Sequence, residues 1–260
     1  MEIDKEANGL HLNFFQCFHI AINSLGMKLV EKQEARITHD FFLGISQLFA
    51  VLSCQSLRNQ SPSSPSGVYW INPLSSSQIS PFQVYCDMET DGGGWTLAWS
   101  YTFKNYSHFT DASNAVTPRP NWLVEQDADV AISTTPPLHE TDYNAINFSL
   151  WKQLGSEVLV KSNINNWLVC HPKSGSLVLS QDGSVCCQII KHVTDTCKDT
   201  KAPTKFSWTG HLGPMFHGTN YYYQFDGSTD QYFPTHDPCG NGEANQLKNV
   251  MDPHGNICVR

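Results

Sequence analysis

The sequence lacks the short motifs that identify the common enzyme classes. It contains no Gly-x-Ser-x-Gly, His-Glu-x-x-His, Gly-x-Gly-x-x-Gly or Walker pattern, each of which supplies a nucleophile, a metal-binding pair or a phosphate cradle. The 11 histidines are scattered along the chain rather than grouped beside a nucleophile. These absences predict that the protein is not an enzyme.

Positive charge is also scarce. The chain has 16 Lys and Arg against 24 Asp and Glu, a formal net charge of −8, and no basic stripe. Such a balance repels phosphate groups, so nucleic acid is not an expected partner. An acidic surface is compatible with cation binding, but simple solubility is the favoured explanation.

A hydrophobic run long enough to span a membrane is missing as well. The stretch 10–25 is interrupted by polar residues, and the run 41–53 has only the length of a signal-peptide core. Residues 1–53 contain no proline and differ in composition from the rest. We interpret 1–53 as a targeting or signal-like segment, with an amphipathic helix as the alternative, and 54–260 as the folded domain.

Cysteines are numerous, but none has the C-x-x-C spacing of a zinc ribbon or a redox motif. Paired disulfides in an oxidising compartment explain them best, and Cys17 stands apart from an even set of eight. Three glycosylation sequons, at Asn59, Asn105 and Asn147, also favour a secreted glycoprotein. The nine cysteines are at positions 17, 54, 86, 170, 186, 187, 197, 239 and 258.

The segment 82–101 has the pattern of a β-hairpin. Apolar and polar residues alternate over 82–89 and again over 95–101, and Asp-Gly-Gly-Gly lies between the two runs. A two-residue period is typical of a half-buried strand, and glycine supplies the positive φ angles of a tight turn. The pattern places Trp95, Leu97, Trp99 and Tyr101 on one face. Another strand is predicted at 68–71, before Pro73.

Cys86 lies on the inward face of the first hairpin strand, and Cys54 is the only other cysteine nearby in the sequence. We therefore predict a Cys54–Cys86 disulfide. Closing this loop contributes roughly 3–4 kcal/mol in the chain-entropy estimate.

The stretch 54–101 resembles a known family. A cysteine is followed by Ser-Gly-Val-Tyr-Trp-Ile and then by Phe-x-Val-Tyr-Cys-Asp-Met-Glu-Thr-Asp-Gly-Gly-Gly-Trp-Thr-Leu. This is similar to the amino-terminal subdomain of fibrinogen C-terminal-like domains. The resemblance implies an α+β fold that is rich in β-hairpins, with short helices and irregular disulfide-linked loops. The whole chain also resembles uncharacterised skeletal organic matrix proteins of stony corals.

The remainder of the chain follows that family loosely. A short helix is predicted at 148–154, ending at Gly155, and strands at 157–161, 166–170 and 176–179. The adjacent Cys186 and Cys187 are expected to pair with other cysteines rather than with each other. Cys170, Cys197, Cys239 and Cys258 are the candidates, and the sequence leaves this pairing open.

The carboxyl-terminal part has a spacing that suggests a calcium loop. Asp226, Ser228 and Asp230 occupy positions 1, 3 and 5 of such a loop, and Asp237 falls at position 12. Position 6 is not glycine, and the family's Asn-Cys-Ala step and Trp-Trp pair are missing. These departures favour a polar turn over a metal site, and calcium is kept as the one candidate cofactor.

Two functions follow from the resemblance. One is an extracellular matrix protein, as in a mineralised skeleton, whose partners are matrix proteins, glycans or the mineral surface. The other is a calcium-dependent, lectin-like recognition protein of innate immunity. Both place the chain outside the cell, without a stable membrane span.

Overall fold

The computed structural model describes residues 43–74, 79–124, 129–210 and 212–260. Residues 44–260 form one compact unit. Most of the predicted targeting segment, and Cys17 with it, lies outside the described residues. Residues 44–51 belong to the compact unit, because the amide of Trp70 donates to the Gly44 carbonyl and Val51 pairs with Ile71.

In the described part of the chain, helices are few and short. Helix α1 (Cys54–Gln60) begins at Ser53, whose hydroxyl accepts from the amide of Ser56 while Ser56 bonds back, so the first turn is capped. Helix α2 (Trp151–Leu154) continues a 3₁₀ turn at Phe148–Leu150 and ends at Gly155. The helix predicted at 148–154 is therefore confirmed.

An antiparallel sheet of twelve strands dominates the unit. The predicted strands at 68–71, 157–161 and 166–170 correspond to three of these. In chain order the strands are β1 (Gly67–Ile71), β2 (Phe82–Asp87), β3 (Trp95–Phe103), β4 (Val116–Thr117), β5 (Arg119–Pro120), β6 (Ile132–Ser133), β7 (Val158–Ser162), β8 (Trp167–Pro172), β9 (Gly183–Lys191), β10 (Lys205–Thr209), β11 (Gly213–His217), β12 (Tyr221–Gln224), β13 (Thr235–His236) and β14 (His254–Val259).

Strand order places the carboxyl-terminal strand in the middle of the sheet. The order is β1-β2-β3-β14-β7-β8-β9-β10-β11-β12-β13, and β4 pairs with β3, while β5 and β6 form a separate parallel pair. This antiparallel, hairpin-rich arrangement with short helices and disulfide-linked loops confirms the predicted α+β class.

The predicted single face of strand β3 is wrong. Leu97 pairs with Cys258 and Trp99 pairs with Ile257, so two positions that are separated by Ala98 on β3 face adjacent residues on β14. A bulge of this kind turns Leu97 and Trp99 to opposite faces of the sheet. Leu97 packs with Trp95, Leu159, Val169 and Cys258, whereas Trp99 packs against aromatic rings on the other side.

The strand predicted at 176–179 is also wrong. These residues form a turn held by an isolated bridge between Ser176 and Gln181, and Leu177 and Val178 are buried within it. A short apolar run reads as a strand by composition alone, but burial in a turn satisfies the same side chains.

Candidate functional site

A buried histidine lies at the centre of an aromatic cluster on one face of the sheet. The ring centroid of His236, on β13, lies 4.7–6.0 Å from the centroids of five aromatic rings. Its Nε2 lies 2.8 Å from the Tyr101 hydroxyl. Burial lowers the pKa of His236 to about 3, so the imidazole is neutral in the folded protein. The rings are Tyr101, Phe103, Phe109, Tyr223 and Phe225.

A cavity of about 490 Å³ opens at the surface beside this cluster. One wall is formed by residues 106–111, and the opposite wall by Ala244, Gln246 and Lys248. The Tyr106 hydroxyl donates to the Leu247 carbonyl and so joins the two walls. Phe109 lines the cavity and also packs against Phe103 and His236, so it connects the cavity wall to the aromatic cluster. A mixed polar and aromatic lining of this kind suits a small polar ligand.

Asp226, the first residue of the predicted calcium loop, is fully buried. One carboxylate oxygen accepts from the amide of Ser228 at 3.0 Å, and the other has no hydrogen-bond partner. Burial, and then the charges of Asp230 and Asp129, raise the pKa of Asp226 to about 7. An unpartnered buried carboxylate is costly, and a bound cation or a proton would relieve that cost.

The other predicted ligands have different environments. Asp237 is buried and accepts bonds from the amides of Cys239, Asn241 and Glu243 at 2.7–2.9 Å, so it organises the 237–245 loop. Asp230 is exposed and accepts from the amide that follows it. Ser228 is buried and donates its amide to Asp226. In the described ranges, no group of three or more His, Cys, Asp or Glu side chains is placed to hold a metal.

Asp129 is a neighbour of Asp226 that sequence reasoning missed. It is 100 residues from Thr229, whose amide donates to it at 3.0 Å and whose hydroxyl also donates to it. The Lys104 ammonium lies 3.7 Å from the Asp129 carboxylate. No spacing rule could reveal this contact, because only the folded chain brings the two loops together.

The three sequon asparagines are all at the surface of the unit. Asn59 is exposed near the end of α1, and its side-chain oxygen accepts from Gln55. The Asn147 oxygen accepts from the amide and hydroxyl of Ser149, its own sequon serine. Asn105 donates to the Ser113 hydroxyl and immediately precedes Tyr106, which lines the 490 Å³ cavity.

Three disulfides are formed in the described part of the chain: Cys54–Cys86, Cys170–Cys187 and Cys197–Cys239. The structure assigns Cys187 to Cys170 and Cys197 to Cys239, and the expectation that Cys186 also pairs with another cysteine is wrong. Cys186 remains a free, exposed thiol, and Cys258 remains free but buried. Burial raises the pKa of Cys258 far above its usual range, despite the nearby positive charge of Lys161.

An ion cluster around the buried Lys161 side chain was also missed from sequence. The Lys161 ammonium lies 3.0 Å from the Asp87 carboxylate and also contacts Glu140. Burial alone would raise the pKa of Asp87, but bonds from Thr90 and the Lys161 charge outweigh it and hold that pKa below its usual value. The three side chains connect strand β7, the end of β2 and the loop before α2.

No helix in the described ranges is long and apolar enough to cross a membrane.

Comparison with known proteins gives three findings. A family model described as the fibrillar collagen C-terminal domain matches residues 43–157, less than half of the chain. Fibrinogen-like protein A of Apostichopus parvimensis is 56% identical over 43 residues, which are 16% of this chain and 14% of that protein. The fibrinogen-like globe domain of human ANGPTL6 aligns with 80% of this chain and 94% of its own at 13% identity, with a TM-score of 0.35.

The sequence similarity is thus strong but short. It supports a fibrinogen-like domain in the chain. Because the matched stretch covers only 14% of that relative, it does not assign an activity or partners to the whole protein.

Proposed function

We propose that this protein is a secreted, non-enzymatic binding or matrix protein whose residues 54–260 form a fibrinogen C-terminal-like domain. The observation that carries the proposal is the Cys54–Cys86 disulfide, which links helix α1 to the β2–β3 hairpin within the stretch that resembles that family. Disulfides of this kind persist in oxidising compartments and are rare in the cytosol.

Expression of the full chain in animal cells tests the compartment. We expect the protein in the culture medium, with Cys54, Cys86, Cys170, Cys187, Cys197 and Cys239 linked as three pairs in non-reducing peptide maps. Glycosidase treatment reports whether Asn59, Asn105 and Asn147 carry glycans. Retention in the cytosol, with Cys54 and Cys86 both recovered as free thiols, would overturn the proposal.

Recognition is assigned to the cavity between residues 106–111 and 244–248. The cavity combines aromatic, hydroxyl, imidazole and ammonium groups, which together suit a glycan or a polar group of a matrix protein. A mineralised matrix role is supported by the acidic balance of the chain, −8 over 260 residues, and a lectin-like role by the shape and polarity of this cavity.

A glycan array and adsorption to calcium carbonate, measured on one protein preparation, separate these roles. Glycan binding that is lost in His108→Ala and kept in His139→Ala, an exposed histidine outside the cavity, supports recognition through the cavity. Strong adsorption to mineral without glycan binding supports the matrix role. Absence of both kinds of binding would refute a binding function at this face.

Calcium remains the proposed cofactor, with Asp226 as its principal ligand. The unpartnered oxygen of Asp226 and the nearby negative charges of Asp230 and Asp129 would attract a cation to this buried position. Calcium prefers six to eight oxygen ligands, and carboxylates, hydroxyls and carbonyls can all contribute. A cation here would remove the cost of the buried negative charge.

Thermal unfolding with and without calcium tests this proposal. We expect calcium to raise the melting temperature of the wild-type protein, because a ligand that binds only the folded state stabilises it. Asp226→Asn should abolish the shift, and Asp195→Asn, a change at an exposed site, should leave it intact. A melting temperature that is indifferent to calcium in the wild-type protein would refute the site.

A further inference from the structure

Three side chains form a row across the strands β7, β8 and β9 on an accessible part of the sheet. His171 on β8 is the direct cross-strand partner of Cys186 on β9. On the other side, Glu157 immediately precedes β7 and accepts from Nδ1 of His171 at 2.8 Å. Cross-strand partners in an antiparallel sheet have side chains on the same face, so His171, which is bonded to the carboxylate, is also the neighbour of the Cys186 thiol.

The carboxylate end of this row is fixed and charged. Arg260 bonds the second oxygen of Glu157 at 2.8 Å through both Nε and Nη2. Burial alone would raise the pKa of Glu157, but the bonds and charges of Arg260 and His171 outweigh it and keep that pKa low. Because Nδ1 of His171 donates to this carboxylate, its Nε2 is left as the nitrogen that can accept a proton.

The thiol end of the row is open to solvent. Cys186 is exposed. Among the described residues of β9, only Gly183 and Ser184 pair with β10, so this edge of β9 has no neighbouring strand beyond residue 185. Successive residues of a strand point to opposite faces. The thiol of Cys186 therefore points away from the Cys170–Cys187 disulfide, and exchange with that disulfide would require a slip of the strand.

We propose that Cys186 is a covalent attachment site, at which this chain becomes joined by a disulfide to a second thiol-bearing molecule. His171 acts as the proton acceptor, and Glu157 is the positioning residue that orients the imidazole. The proton of the Cys186 thiol passes to His171, and the sulfur attacks one sulfur of an incoming disulfide. That S–S bond breaks, a new bond to Cys186 forms, and the released thiolate takes the proton.

The reactivity of the thiols can be measured on the folded protein in a Cys17→Ser background, with dithiobis-nitrobenzoate as the disulfide, after a mild reductant has released any adduct from Cys186 and has been removed. We expect one thiol per chain to react without denaturant and Cys186→Ser to abolish that reaction. Cys258 should react only after unfolding, because it is buried in the core. A native protein in which Cys186 does not react, or reacts no faster than Cys258, would overturn the proposal.

Variants of the other two residues test the role of the row. We expect His171→Gln to slow the reaction about tenfold at neutral pH, since an unassisted thiol is only a few per cent thiolate there, and to shift the pH profile of the rate toward alkaline pH. Glu157→Gln should have a smaller effect in the same direction, and His139→Gln none. An unchanged rate and pH profile in His171→Gln would refute the proton-acceptor role.

The natural partner is identified from protein secreted without reductant. Non-reducing electrophoresis and intact mass distinguish a second copy of this chain, which doubles the mass, from a small thiol, which adds the mass of one adduct. Either product, released by reductant and absent in Cys186→Ser, supports the proposal. Recovery of Cys186 entirely as a free thiol would contradict it. This readout is independent of any ligand of the 106–111 cavity.

Discussion

Two buried ionisable side chains, Asp226 and His236, give the stability of the protein opposite dependences on pH. The pKa of Asp226 is raised to about 7, so the folded state holds its proton more tightly than the unfolded state and loses stability as the pH rises from 3.8 to 7. The pKa of His236 is lowered to about 3, so the unfolded state takes up the proton first and stability is lost as the pH falls below 6.5.

In metal-free buffer, Asp226→Asn should separate the two effects. We expect the free energy of unfolding to increase at alkaline pH by an amount on the order of 4 kcal/mol, the value of a shift from 3.8 to about 7. In this variant the titration of Asp226 is removed and that of His236 remains. The free energy of unfolding should therefore decrease by up to about 1.4 kcal/mol for each pH unit below 6.5. Urea unfolding across this range measures both, with Asp195→Asn as the control. A stability at alkaline pH equal to that of the wild type would contradict the burial of an unpartnered charge.

At the scale of single elements, the turn between β2 and β3 contains three glycines with positive φ, and Gly93 leaves the least room for a side chain. Gly93 has a φ of +74°, and a Cβ atom at this position would lie 2.1 Å from the Met88 carbonyl oxygen. Both the conformation and the space therefore exclude a side chain. Gly67 in β1 offers a matched comparison, because the nearest atom to its added Cβ is 3.8 Å away, in Tyr69.

We expect Gly93→Ala to destabilise the protein by about 1–3 kcal/mol or more, since strain and a backbone collision add. Gly67→Ala should change the stability by less than about 1 kcal/mol. The midpoints of denaturant unfolding measure the difference. Equal midpoints for the two variants would show that the hairpin turn tolerates a side chain and that its geometry differs from the one described here.

At the scale of the whole molecule, the Cys54–Cys86 disulfide ties α1 to the sheet. The bond closes a loop with a sequence separation of 32, and a loop of this length contributes about 3–4 kcal/mol by restricting the unfolded chain. We expect the double variant Cys54→Ala/Cys86→Ala to lose about this much free energy of unfolding. Cys186→Ser, which removes a free thiol, is the control, and its stability should match the wild type. A double variant as stable as the wild type would show that the loop is already ordered without the bond.

The sequence by itself determined the features that depend on neighbouring residues. Alternation over 82–101 and the three glycines were sufficient to predict the β2–β3 hairpin, and Gly155 marked the end of α2. Local steric preferences decide such features, so they are visible in short windows of the chain.

Only the tertiary structure decided which distant residues meet. The bulge opposite β14 separated Leu97 from Trp99, Asp129 came to lie beside Asp226, and Cys186 was aligned with His171 rather than with another cysteine. These contacts arise from the register and packing of strands far apart in the chain. No local pattern specifies such a register, because it is selected by burial of the whole core at once.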